Sequence, residues 1–145
     1  MSKTFTLSEA QTLLPVLESL LQRARTSALR GAELELEMQQ LSHRIFLSGG
    51  LHVDVAVAAR RRAERDKAGQ ESKDTIAEIE AIGARVQDLH AGVLDFPWQV
   101  EGKSALLCWK MGDPVIEYWH WPDETFEQRR RLEGPVSKGD RERLN

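Results

Sequence analysis

Apolar side chains recur at Leu13, Leu17, Leu20, Ala24, Leu34, Met38, Leu41 and Ile45, all in one heptad frame. Ser27 and Gly31 fill the two gaps. A frame kept through Gly31 favours one long helix over two unrelated ones. Its start is marked by Thr6-Leu7-Ser8-Glu9, a capping box in which the Thr6 hydroxyl accepts from the Glu9 amide and the Glu9 carboxylate reaches back. Ser48-Gly49-Gly50 supplies its end. A straight helix over about residues 6–48 would be roughly 60 Å long, at about 1.5 Å per residue. Pro15 lies beyond the first turn, where its ring clashes with the turn before it, so a kink is expected there.

A second helical stretch is expected over about residues 53–91. Its C-terminal half is amphipathic, with Ile76, Ile79, Ile82, Val86 and Leu89. Its N-terminal half has no large apolar residue between Val57 and Ile76, only alanines among Arg60, Arg61, Arg62, Glu64, Arg65, Asp66 and Lys67, with Gly69 in the middle. Residues 58–75 therefore read either as a solvated helix held by charge pairs or as a loop, with helix favoured.

After Ala91-Gly92 the period becomes alternating. Leu94–Val100, Ser104–Lys110 and Val115–Trp121 read as strands, and Glu101-Gly102 and Gly112-Asp113 as two-residue hairpin loops. Taken literally, the loops pair Phe96 with Leu107, Asp95 with Cys108, Trp109 with Ile116 and Cys108 with Glu117. One face then carries Phe96, Trp98, Ala105, Leu107, Trp109, Ile116, Tyr118 and His120 and is expected to pack on the helices. The other carries Asp95, Cys108, Glu117, Trp119 and Trp121. The expected fold is α+β: a long antiparallel helical hairpin packed with a three-stranded antiparallel β-meander, one domain over residues 1–134. Residues 135–145 are expected to form a flexible tail.

Among 145 residues, Lys plus Arg is 20 and Asp plus Glu is 23, a net charge of −3. That balance argues against a nucleic-acid partner, since such proteins usually carry a basic excess. The triplets Arg60-Arg61-Arg62 and Arg129-Arg130-Arg131 both have acidic neighbours and read as solvated faces. No apolar run approaches the roughly 18 residues that cross a bilayer, and the N-terminus has no signal pattern. The single cysteine, Cys108, excludes an internal disulfide. A cytoplasmic location is expected.

The most suggestive row is Asp95, Cys108 and Glu117. A thiol between two carboxylates could bind a soft metal, but negative neighbours make it a poor nucleophile. No histidine is expected on that face, so no metal or cofactor is assigned. His120 is expected on the opposite face from Cys108, as a structural residue donating to a backbone carbonyl. His43, His52 and His90 are isolated. HExxH, GxSxG and a glycine-rich phosphate loop are absent.

With these residues in hand, the chain resembles a bacterial family known only as domain of unknown function 2203. The resemblance rests on Phe5-Thr6-Leu7, Glu9-Ala10 and Leu13-Leu14-Pro15, then on Gly92-Val93-Leu94-Asp95-Phe96-Pro97, Leu107-Cys108-Trp109-Lys110, Gly112-Asp113-Pro114, Ile116, Trp119-His120, Phe126 and Arg129. The family pattern has Glu at Asp113 and glycines at Thr125 and Gln128. The resemblance implies a shared fold but no activity. It marks Asp95, Cys108, Asp113, His120 and Arg129 as polar members of the motif. Asp95 and Asp113 equally suit turns, and Arg129 could pair with either.

The expected function is a non-enzymatic interaction or scaffolding module that self-associates through its long helices as a homodimer or higher oligomer, with a protein partner possible. The alternative is a small-ligand or metal-binding enzyme built on Asp95, Cys108, Asp113, Glu117, His120 and Arg129. Convergence of these side chains on one site would favour the second.

Overall fold

The computed structural model describes residues 4–49 and 55–132. In chain order the elements are α1 (Leu7–Leu47), α2 (Val55–Ile82), β1 (Arg85–Asp88), β2 (Val93–Val100), β3 (Lys103–Lys110), β4 (Tyr118–His120), a short 3-10 turn (Phe126–Gln128) and β5 (Arg130–Arg131). The fold is α+β. The capping box forms as read: the Glu9 amide donates to Thr6 Oγ1 at 3.0 Å and the Thr6 amide to Glu9 Oε1 at 2.9 Å. α1 runs on through Pro15 to Leu47. The expected tail at 135–145 lies outside the described residues, as do positions 53 and 54 of the expected second helix.

The chain divides into two compact units, one of Met1–Gln22 with Ile76–Asn145, the other Arg23–Thr75. In the second, residues 58–75 are helical. With no large side chain to bury, this part of α2 packs through small ones. Ala68, Ser72 and Thr75 are buried, as are Ala24, Ser27 and Leu34 of α1. Ser72 Oγ donates to the Ala24 carbonyl at 3.1 Å. Beside the Arg65–Asp66 pair within α2, charge pairs bridge the two helices: Arg65–Glu35 at 2.8 Å, Arg30–Glu64 at 3.3 Å and Arg61–Glu37 at 3.5 Å. Exposed pairs of this kind contribute under about 1 kcal/mol each, so they fix pairing more than they stabilise it.

Gly69 offers a direct check on this packing. A methyl group there would meet nothing within 4 Å. Gly69→Ala is expected to stabilise the protein by about 0.5–1 kcal/mol through helix propensity. A raised urea midpoint at unchanged slope would show this, and a lowered one would mean that the helix needs closer backbone approach at that point.

In the other unit the start of α1 and the end of α2 cover one face of an antiparallel five-stranded sheet, ordered β1-β2-β3-β4-β5. Its core joins Phe5, Ala10, Leu14, Leu17, Leu21 and Ile79 to Leu94, Phe96, Trp98, Leu107, Trp109 and Ile116. Phe5 meets Phe96 edge-on at 5.6 Å, and its amide donates to the Pro97 carbonyl at 2.8 Å.

Five strands replace the three expected. α2 ends at Ile82 rather than near residue 91, because Gly83 takes φ 115°, a conformation open to glycine. Val86 then falls in β1, paired with Leu94. β5 comes from the stretch read as solvated and pairs Arg130 with Trp119. Among the described residues no helix is long and apolar enough to cross a membrane.

Candidate metal centre

The first hairpin has the expected register. Glu101 and Gly102, at φ 51° and 78°, form a tight turn, and Asp95 lies opposite Cys108. The second connection does not. Cys108 pairs with Tyr118, not Glu117, and Leu106 pairs with His120. Pro114 has no amide to offer a ladder, and the Ile116 amide donates to Gln11 Oε1 at 3.1 Å instead of to β3. The chain rejoins the sheet one residue later than a two-residue loop would bring it. That single step exchanges the faces of β4. Trp119 turns to the core side, packing edge-on against Trp98 at 5.9 Å, and His120 turns to the face of Asp95 and Cys108.

Asp95, Cys108 and His120 are each about 1% exposed. One ligand atom from each lies within 4.8 Å of the other two. His120 Nε2 stands 3.5 Å from Asp95 Oδ1. Neither atom has a hydrogen-bond partner among the described residues. On the far side of the ring, His120 Nδ1 lies 2.8 Å from the Trp121 carbonyl. A carbonyl only accepts, so Nδ1 carries a proton, and the ring turns Nε2 toward Asp95 and Cys108. The expected bond to a backbone carbonyl therefore exists, but it aims the ring into the cluster.

Burial pushes the Cys108 thiol up to about 12, and the nearby Asp95 carboxylate adds to the rise while Arg129 opposes it. Burial also raises the Asp95 carboxyl above its ordinary range, against the opposing effect of His120. A thiol so held is a weak nucleophile, which disfavours Cys–His catalysis in the bare protein. The donor set suits a metal ion. Imidazole nitrogen, thiolate sulfur and carboxylate oxygen are the usual zinc ligands, and in a tetrahedral zinc site neighbouring donors lie about 3.3–3.6 Å apart. The His120–Asp95 spacing already has that size. The carbonyl that fixes the outer nitrogen of the histidine is a common feature of metal sites.

The other sequence candidates stand apart from this trio. Glu117 lies 3.8 Å from Arg131 and does not join it. Asp113 is a turn residue: its amide donates to the Lys110 carbonyl at 2.9 Å and its carbonyl accepts from Trp109 Nε1 at 2.8 Å. Arg129 pairs with neither Asp95 nor Asp113. Its guanidinium lies over the Phe126 ring at 3.9 Å and the Tyr118 ring at 4.7 Å, and Nη1 donates to the Phe126 carbonyl at 3.1 Å. The turn before it is closed by the two residues that depart from the family pattern, with the Thr125 amide donating to Gln128 Oε1 at 2.9 Å. Glu124, held low by Arg130 and by the Trp121 amide, fastens the same segment. Tyr118, Phe126 and the Trp121 carbonyl are the contributors that sequence reasoning missed. Only Pro114, as a breaker of the second hairpin, could have pointed to them.

No match is found among curated proteins or solved structures. The family comparison agrees with the motif read above, whose polar members include all three residues of the buried trio. Residues 3–132 match the model of DUF2203, described as an uncharacterized conserved protein, and the chain belongs to that family.

Proposed function

We propose that the chain is a cytoplasmic metal-binding protein whose centre is Asp95 Oδ1, Cys108 Sγ and His120 Nε2. The observation that carries this reading is the meeting of three buried donors from three adjacent strands, two of them without a partner among the described residues. Leaving such atoms unpaired costs about 1–3 kcal/mol each, and a divalent ion removes that cost. Zinc, or another borderline-soft divalent ion, fits the donors best. Three protein ligands leave one position for an outside molecule. The reducing cytoplasm keeps a lone thiol free to ligate.

The test is elemental mass spectrometry on protein purified without a histidine tag. About one equivalent of metal is expected in the wild type, with most of it lost from Cys108→Ala and His120→Ala. Wild-type protein that stays metal-free after incubation with zinc would overturn the reading.

Self-association through the helices is a second reading, favoured by one observation. Leu29 and Leu36 of α1, spaced one heptad apart, are about half exposed, and Phe46 and Leu47 further along are 80% and 69% exposed. A second copy presenting the same stripe would cover it as an isologous interface. Sedimentation should then give a dimer that Leu36→Glu dissociates, and a wild-type monomer would remove this reading.

A further inference from the structure

Three consecutive arginines, Arg129, Arg130 and Arg131, differ in what they meet. Arg130 is held by both oxygens of Glu124, at 2.7 and 2.8 Å. Arg131 lies 3.8 Å from Glu117. Arg129 meets no carboxylate among the described residues. It is nevertheless held in place. Two aromatic rings hold its plane, and the Phe126 carbonyl takes Nη1. Its Nε is buried without a partner. The guanidinium is therefore oriented, and its Nε, on the Nε–Nη2 edge, is buried and unused. That edge presents two parallel N–H groups spaced for the two oxygens of a carboxylate.

Its place in the fold gives this edge a role. Tyr118, on which Arg129 stacks, is the direct cross-strand neighbour of Cys108. Directly opposed residues share a face of a sheet, so Arg129 flanks the buried trio. Charge then selects the ligand. A divalent ion held by the Asp95 carboxylate, the Cys108 thiolate and a neutral His120 is electrically balanced. Arg129 adds one positive charge that nothing among the described residues offsets. A monoanion would restore neutrality in this desolvated place, whereas a phosphate dianion would leave an excess negative charge, which burial penalises.

We propose that Arg129 is the anion-binding residue of this centre, holding a small monocarboxylate whose oxygen completes the coordination of the metal bound by Asp95, Cys108 and His120. The proposal rests on the metal-binding reading above. No covalent step is involved: the carboxylate binds as the anion, displaces water from the metal and accepts two hydrogen bonds from Arg129.

The experiment uses the full chain loaded with cobalt(II), whose visible bands report both thiolate ligation and any change at the open position. Acetate is titrated into the wild type, Arg129→Ala and Arg129→Lys, with inorganic phosphate as the competing arm. The expected result is a saturable band shift with acetate in the wild type. Arg129→Ala should bind the same equivalent of cobalt with acetate affinity reduced about tenfold to a hundredfold, the usual loss for a charge-assisted hydrogen bond. Arg129→Lys, which keeps the charge and loses the fork, should fall between them and guards against a folding defect in the alanine variant. Bands unmoved by acetate, or moved equally in all three proteins, would overturn the role of Arg129 while leaving the metal site intact. Phosphate binding more tightly than acetate would overturn the assignment to a monocarboxylate. Failure of the wild type to bind cobalt at all would overturn the metal reading, and this proposal with it.

Discussion

Stripping metal from the wild-type protein with a strong chelator is expected to lower its thermal midpoint by about 10 °C. The size follows from mass action. An ion that binds only the folded state at about a thousand times its dissociation constant stabilises by about 4 kcal/mol. For a chain of this length each kcal/mol moves the midpoint by about 3 °C. His120→Ala should unfold at one temperature with or without chelator. Asp95→Asn makes the sharper case, because its effect should reverse sign. Without metal, Asp95 is a buried carboxyl whose charged form burial disfavours. An isosteric amide removes that charge, so the variant should match or exceed the wild type in chelator. With zinc present the order should invert, because an amide is a much weaker ligand than a carboxylate. Paired thermal scans with zinc and with chelator would check this, using tryptophan fluorescence as the signal. A wild-type midpoint indifferent to chelator would sink the metal reading, and an Asp95→Asn variant below the wild type in both conditions would show that Asp95 has a purely structural role.

Whether a residue's partners could be read from sequence depended on how locally its geometry is set. The Thr6–Glu9 box closes over one turn and forms as read. The β2–β3 register follows from two adjacent residues, Glu101 and Gly102, and it too holds, so Asp95 facing Cys108 was legible. The next connection depends on a side chain distant in sequence. Gln11 of α1 captures the Ile116 amide, and no local pattern announces that. The one-residue shift that follows puts His120, rather than Glu117, beside the thiol. It also brings a histidine to a face read as lacking one. The packing of α2 was hidden for a related reason. Ala68 and Ser72 carry no hydrophobic signal, and they bury only because Ala24, Ser27 and Gly31 lie across from them. Gly83, by contrast, was a usable stop signal inside a stretch read as continuous helix. The spacing of Ile79, Ile82, Val86 and Leu89 fits a helix so well that it masked the glycine.

Phe96→Ala is expected to cost about 3–5 kcal/mol, the usual range for deleting a fully buried phenylalanine. Against a typical total of about 5–15 kcal/mol, that is enough to leave the fold marginal. Phe96 has no exposed surface, sits across from Leu107 on the core face and meets Phe5 edge-on. Truncation empties the middle of the core, and the strands on either side are too firmly paired to collapse into the space. Phe46→Ala is the matched control: with its ring 80% exposed, it should shift stability by no more than about 0.5 kcal/mol. Urea titrations of the two variants would measure the difference, and a Phe96→Ala loss below about 1 kcal/mol would contradict this account of the core. The same titrations bear on the site. Phe96 follows Asp95 directly on β2 and points to the other face, so the core anchors the strand from which the proposed ligand Asp95 projects. If truncation leaves the geometry of Asp95, Cys108 and His120 intact, zinc should raise the stability of Phe96→Ala by the same amount as that of the wild type, the additive outcome for separate sites. A smaller gain would mean that the cavity loosens β2 and that the packing of the core face sets the precision of the metal centre behind it.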